Sequence, residues 1–363
     1  MSEPVRLSRR RVLYLLAGLA AASGCRHGVG GGPTVSRAGA EAVAPSEPAI
    51  TIVVPWAPGG ASDLLMRTTA DALQRVLGQP VVVQNVTGAG GTIGARQVLT
   101  APPDGHTLLA AHESLITAYY TGIAVFSWRD FEPVALLFSS PEVIVTRATA
   151  PWRTFDALIG YARQQPDVVR WGATFGSTSH FLPSEIMYRT GARFRLVGYE
   201  GIVERLNALL AEQIDVATCP AANLLQLPQA EQLRALAIAG VERDQTLTDV
   251  PTLREYGVDV TFTTNRGLFA PRGTPEAVLQ RLEQAVERAL GDPELLQRVQ
   301  GELHTHIHFL RRAEYRAQLE RWDSTTHLLA EQIGFARAGR RGHVGRAGRA
   351  SQREGRCCPT ESE

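Results

Sequence analysis

The residues best placed to do chemistry in this chain are mostly small ones. Pro58-Gly59-Gly60-Ala61-Ser62-Asp63 follows the apolar run Ile50–Val54 and precedes a stretch in which Met66, Ala70, Leu73 and Leu77 recur at helical spacing. Glycines let a ligand approach the backbone closely, and amides at a helix start carry partial positive charge. Such a loop holds a carboxylate without any lysine or arginine. Within it, Ser62 and Asp63 serve either as ligand or water contacts or as plain helix caps. Trp56 either walls a cleft or packs beneath the loop. A second glycine-rich turn, Gly88–Gly91, leads through Thr92 into a short helix. Thr174–His180 places Ser177, Thr178 and His180 at the start of another helix, with His180 a ligand contact or a structural hydrogen bonder.

Other chemistries are poorly served. All 37 basic residues are arginine, so there is no lysine for a Schiff base or a P-loop. Gly88-x-Gly90-x-x-x-Gly94 imitates a dinucleotide fingerprint, but it is one residue too long, and no acidic residue ends the next strand near Ala111. The cluster Ser177-Thr178-Ser179-His180 hints at a hydrolase without the Gly-x-Ser-x-Gly elbow. His304, His306 and His308 would share one face if extended, a pattern in which neutral imidazoles could bind zinc or copper. Glu200 and Glu204, four apart on a helix, read as solvated. Cys219 reads as a buried core thiol, and the adjacent Cys357 and Cys358 as incidental. No cofactor and no metal are expected.

The chain ends carry much of the positive charge. Residues 1–47 hold six arginines and three acids, and residues 336–363 hold seven and three; residues 48–335 keep 24 arginines against 30 acids, a net of −6. That core lacks the basic field that nucleic acid requires. Arg6, Arg9, Arg10 and Arg11 precede the apolar segment Val12–Ala22, which has the form of an export signal and is too short to span a bilayer. The run from Ser8 to Leu13 resembles a twin-arginine pattern. Ala22-Ser23-Gly24-Cys25 resembles a lipoprotein cleavage box, with Cys25 either lipidated or incidental to an ordinary cleaved signal. Residues 26–47 read as a flexible tether and 336–363 as a disordered basic tail.

The elements that must position the loops alternate. Strands are expected at Ile50–Val54, Val81–Val83, Thr107–Ala111, Val168–Gly172, Phe194–Val197, Asp215–Thr218 and Leu236–Ala239, with helices between most of them. That rhythm implies an α/β fold with parallel sheets covered on both faces. After Thr274-Pro275-Glu276 the chain turns helical, with Thr274 as the expected N-cap. The reading is two lobes: residues 48–146 with 265–335, and residues 147–264. Crossings near Val143–Arg147 and Thr263–Leu268 join them, with a ligand cleft between.

Six segments, in order, resemble the substrate-binding proteins of tripartite tricarboxylate transporters, the Bug or TctC family. They are Val54–Asp63; Asn85 with Gly88–Gly94; Pro103–Leu108; Thr174–His180; Asp249–Glu255; and Gly267–Pro271. The resemblance covers roughly residues 48–335. It implies a two-lobed periplasmic binding protein of Venus-flytrap, type II-like form, acting as a monomer, that captures a small organic carboxylate and presents it to membrane permease subunits. It implies a site built from Gly59, Gly60, Ala61, Ser62, Asp63, Gly90, Gly91, Thr92, Ser177, Thr178 and His180, to which the residues themselves add Trp56 as a candidate wall. Tyr199 matches the family's Pro-Tyr-Lys-Gly, here Gly198-Tyr199-Glu200-Gly201, with glutamate replacing lysine. Asp215 matches a family aspartate, with Glu212 where glycine is common. Two rivals stand beside this reading: an exported carboxylate-processing hydrolase, and a ligand sensor for a signalling partner.

Overall fold

The computed structural model describes residues 47–335. The export signal, Cys25, the tether up to residue 46 and the tail from residue 336 lie outside the described residues.

Ile50–Val54 (β1), Val81–Asn85 (β2) and Thr107–Ala111 (β3) pair in parallel with β1 in the middle. An all-apolar β-branched strand suits that position, since both of its faces are covered: Ile52 and Val54 on one side, Val53 on the other. The crossovers are Ala61–Leu77 (α1), which Gly78 ends in the left-handed conformation, and Thr92–Leu99 (α2). Ser114–Tyr120 (α3) follows.

Phe131–Arg147 (β4) is a single strand of 17 residues. It is followed by Phe155–Gln164 (α4), Arg170–Ala173 (β5), Thr178–Thr190 (α5), Arg195–Gly198 (β6), Ile202–Leu210 (α6), Val216–Pro220 (β7), Ala221–Leu225 (α7) and Leu233–Ile238 (β8). The chain returns along Thr263–Pro271 (β9). It closes with Glu276–Leu290 (α8), Pro293–Leu296 (α9), His306–Leu310 (β10) and Arg312–Gln332 (α10). Asp292 caps α9 through the amides of Glu294 and Leu295. Thr274 does not cap α8. Its hydroxyl donates to the Pro271 carbonyl, and Pro275 takes the cap position.

The sheet order is β2-β1-β3-β9-β4-β7-β5-β6, with β8 and β10 also on β4. The expectation of purely parallel sheets is corrected: β9 runs antiparallel to β3 and β4, and β4 antiparallel to β7, β8 and β10. Only β1–β3 and β5–β7 are parallel sets, because the connecting strands carry the chain backwards past each set. β4 pairs with β9 as far as Pro141 and with β7 from Glu142 onward, so one strand serves both halves of the molecule.

Each half has a core on both faces of its strands. In the first, Leu65, Met66, Leu73, Leu279, Leu282 and Val286 bring α1 and α8 onto one face. Ile116, Tyr315, Leu319 and Leu329 bring α3 and α10 onto the other. In the second, Phe155, Trp171, Leu182 and Ile186 lie on one face, and Leu206, Leu209, Ile214 and Cys219 on the other. Among the described residues no helix is long and apolar enough to cross a membrane.

Candidate functional site

A cavity of about 70 Å³ lies where the two parallel sets face each other. Its walls come from the carboxyl ends of strands, where open α/β sheets place ligands. After β1 come Trp56, Gly60, Ala61 and Ser62; after β3, His112; after β5, Thr174, Ser177, Thr178 and Ser179. After β6 come Gly201, Ile202, Val203 and Arg205, and at and after β7, Pro220 and Asn223. Glu142 from β4 and Thr264 and Arg266 from β9 form the floor. Thus α1, α5 and α6 all begin at this cavity, and their first-turn amides and dipoles favour negative charge there.

Two arginines are buried beside it, Arg205 at 5% exposure and Arg266 at 4%. Arg205 donates to the hydroxyls of Thr174 (2.6 Å) and Ser179 (2.9 Å) and to the Thr218 carbonyl (3.2 Å). Arg266 donates to the Ser62 hydroxyl at 3.0 Å and the Thr264 carbonyl at 3.5 Å. Neither is hydrogen-bonded to a carboxylate among the described residues. Burial pulls both guanidinium pKa values down, Arg266 to about 10, against the opposing pull of Glu142; a guanidinium keeps its charge at neutral pH. Glu142, also buried, accepts from the Thr264 hydroxyl at 2.5 Å. Burial raises its pKa, against the opposing pull of Thr264, Arg205 and Arg266.

Trp56 stacks on His112, with ring centroids 4.8 Å apart and planes 9° from parallel. His112 Nδ1 accepts from the Ser114 amide, which leaves the ring proton on Nε2. Burial and the two arginines hold its pKa at about 3, so the ring is neutral.

The model of the family described as "Tripartite tricarboxylate transporter family receptor" (TctC) matches residues 65–304. The chain belongs to that receptor family. A curated relative, the UPF0065 protein in the TAR-I ttuE-ttuC' intergenic region of Agrobacterium vitis, is 34% identical, over 70% of this chain and 74% of its own. Two solved Rhodopseudomonas palustris proteins are also similar. MatC with bound malate has a TM-score of 0.71 at 30% identity, covering 78% of this chain and 98% of its own. Rpa4515 with adipate has a TM-score of 0.74 at 26% identity, covering 79% and 97%. The fold is that of a two-lobed α/β solute-binding protein, and the receptor's cavity lies between the parallel sets.

In this receptor the structure brings Trp56, Gly60, Ala61, Ser62, Ser177 and Thr178 to the cavity. The other residues read from the sequence do not line it. Gly59 donates to Asp63, whose carboxylate also accepts from Asn85 and pairs with Arg67. Burial opposes ionisation of Asp63, but Arg67, the Gly59 amide and Asn85 outweigh it and hold its pKa below the ordinary value. Asp63 therefore braces the loop from behind. Gly91 packs against the Trp56 ring, and Thr92 turns its hydroxyl onto the Ala89 carbonyl.

Gly90 and Tyr199 line an outer groove with Phe175, Glu200 and Glu204, which meets the cavity at Thr174. Glu200 is exposed there, so its replacement of the family's lysine does not put a charge into the cavity. His180 accepts from the Gly176 amide and packs on Phe175 and Phe335; burial lowers its pKa to about 4. The Ser177 hydroxyl bonds Thr174 and Ser179, not the His180 ring, so no nucleophile–base pair of serine and histidine forms there. Asp215 precedes β7, the wrong end of the strand for this site, and pairs with Arg170 and Arg147. Glu212 keeps a left-handed φ of 59° where the family favours glycine.

Sequence reading missed His112, Glu142, Thr174, Arg205, Asn223, Thr264 and Arg266. A signal existed for Arg266: an arginine inside the otherwise uncharged run Thr263–Pro271 is out of place unless it has buried work to do. Arg205 gave none, since an arginine on an amphipathic helix reads as solvated. His306 and His308 sit on β10, and among the described residues no group of three or more histidine, cysteine or acidic side chains is placed to hold a metal.

Proposed function

We propose that this receptor is an exported, monomeric solute-binding protein that encloses a small organic carboxylate and presents it to the permease subunits of a tripartite transporter. The observation that carries the ligand class is the pair of buried arginines, Arg205 and Arg266, with no carboxylate bonded to either. An unpaired buried charge is costly, and a ligand anion supplies the missing partner. The three helix starts act in the same direction. Malate and adipate in two similar proteins are consistent with this class of ligand.

The two lobes, residues 48–146 with 265–335 and residues 147–264, would close about the strands they share, β4 and β9. The change of partner at Pro141–Glu142 favours a hinge there. Export rests on the arginine-led signal, with Cys25 as a point of lipid attachment.

Thermal unfolding against mono-, di- and tricarboxylates tests the reading. A ligand at 100 times its dissociation constant stabilises the native state by about 2.7 kcal/mol. A raised midpoint with one class of carboxylate is expected; no shift with any carboxylate, alongside shifts with neutral sugars or cations, would overturn it.

A further inference from the structure

The cavity contains an acceptor that a plain carboxylate does not satisfy. Glu142 is 4% exposed and lines the cavity, and only its Oε1 is engaged, by the Thr264 hydroxyl. Oε2 is buried with no hydrogen-bond partner among the described residues, and Arg205 and Arg266 act on Glu142 through their charge without a hydrogen bond to it. Asn223 follows β7, whose Pro220 sits opposite Glu142 in the sheet, and its Oδ1 is likewise buried and unpartnered. Donors line the same cavity: Arg205 Nε and Trp56 Nε1 are also unpartnered. The wall is thus divided, with cationic donors for an anion and acceptors on the β4–β7 side for something else.

Resting on the carboxylate reading, we propose that Glu142 is the specificity determinant of this cavity and selects carboxylates that carry an N–H or O–H donor close to the carboxyl group. The ligand's carboxylate lies against Arg205 and Arg266, and its hydroxyl or ammonium donates to Glu142 Oε2. A carboxylate with hydrogen or methylene at that position would leave Oε2 desolvated and unpaired, the situation in which a polar site rejects an analogue most strongly.

The test uses the purified protein and three carbon skeletons, propionate, succinate and adipate. Each is offered as the parent acid and as its 2-hydroxy and 2-amino derivatives, with affinities from calorimetry at pH 7.5. At least one skeleton should show a donor-bearing derivative binding ten-fold or more tighter than its parent. Glu142→Leu should bring that ratio close to one, and Glu142→Gln should keep a hydroxy ligand while losing an amino one. The wild-type ratios stand by themselves if a variant does not fold. Equal affinities within every skeleton, or tightest binding by the parent acids, would overturn the role of Glu142 and leave the carboxylate reading intact. No binding by any of the nine compounds, while tricarboxylates or aromatic acids bind, would overturn it too; no binding by any carboxylate would remove both.

Discussion

The affinity of this receptor for an anion is concentrated in a few side chains whose burial is unfavourable without a ligand. Arg266 is the clearest. Arg266→Met removes a buried charge to which no carboxylate of the described residues is hydrogen-bonded, so the ligand-free protein should unfold at the same temperature or higher. Carboxylate affinity should fall by about 100-fold, the scale of one charge-assisted hydrogen-bonded contact. Paired melting curves with and without ligand check both halves, and a variant that still shifts normally with ligand would remove Arg266 from the site. Asp63 has a different role. It holds the Gly59 amide and Asn85 behind the loop that presents Gly60–Ser62. Asp63→Ala should destabilise by about 1–3 kcal/mol and weaken binding indirectly. Asp63→Asn, which keeps an acceptor for Gly59, should recover much of the affinity in a calorimetric titration.

At the scale of elements, the two connecting strands matter more than the parallel sets they join. β9 places Thr264 and Arg266 toward the cavity while Asn265, pointing the other way, donates to the buried Glu113. Gly267 comes next, and a Cβ there would lie 2.4 Å from the Tyr315 hydroxyl of α10. Tyr315 is 1% exposed in the core and has little room to retreat. Gly267→Ala should therefore cost about 1–3 kcal/mol, seen as a lower urea midpoint with an unchanged slope. An unaffected midpoint would mean that α10 moves freely against the sheet. The neighbouring halves of β4 and β9 escaped sequence reading as strands. Pro133, Ser139, Ser140 and Pro141 break the apolar pattern of β4, and the segments looked like linkers between two finished arrays. The regular βα units, by contrast, were legible because helical periodicity, β-branched runs and signals such as Gly78 and Asp292-Pro293 agree locally.

For the whole molecule, pH dependence follows from groups buried in unusual states. Burial holds His112 and His180 neutral, with pKa values of about 3 and 4 against an ordinary 6.5. Stability from a depressed histidine is present above its unfolded pKa and lost as pH falls toward the folded value. Glu113 opposes them: burial raises its pKa to about 7, so its contribution is complete below 4.5 and lost as pH rises through 7. Glu142 and Glu185, whose pKa values burial also raises, act in the same sense as Glu113. Relative to wild type, His180→Gln should therefore raise the melting temperature at pH 5 against that at pH 7, and Glu113→Gln should lower it; variant curves parallel to the wild type from pH 7 to 5 would refute the assignment.

The local units were legible in the order of the residues. It specified the strand–loop–helix order, the glycine-rich loop at Gly59–Ser62, the helix start at Ser177 and the family likeness, because propensity, periodicity and turn chemistry act over a few residues. Which side chains meet in the cavity follows from long-range packing alone. Glu142, Arg205 and Arg266 lie 124 residues apart from first to last. The uncharged run around Arg266 hints at its burial, but nothing local marks Arg205 or Glu142 as buried or says what either faces, because burial is a property of what the rest of the chain packs against a residue. Likewise Asp63, Asp215 and His180 have the right residue types, but their direction in space, toward loop, strand start or aromatic cluster, was fixed by long-range packing.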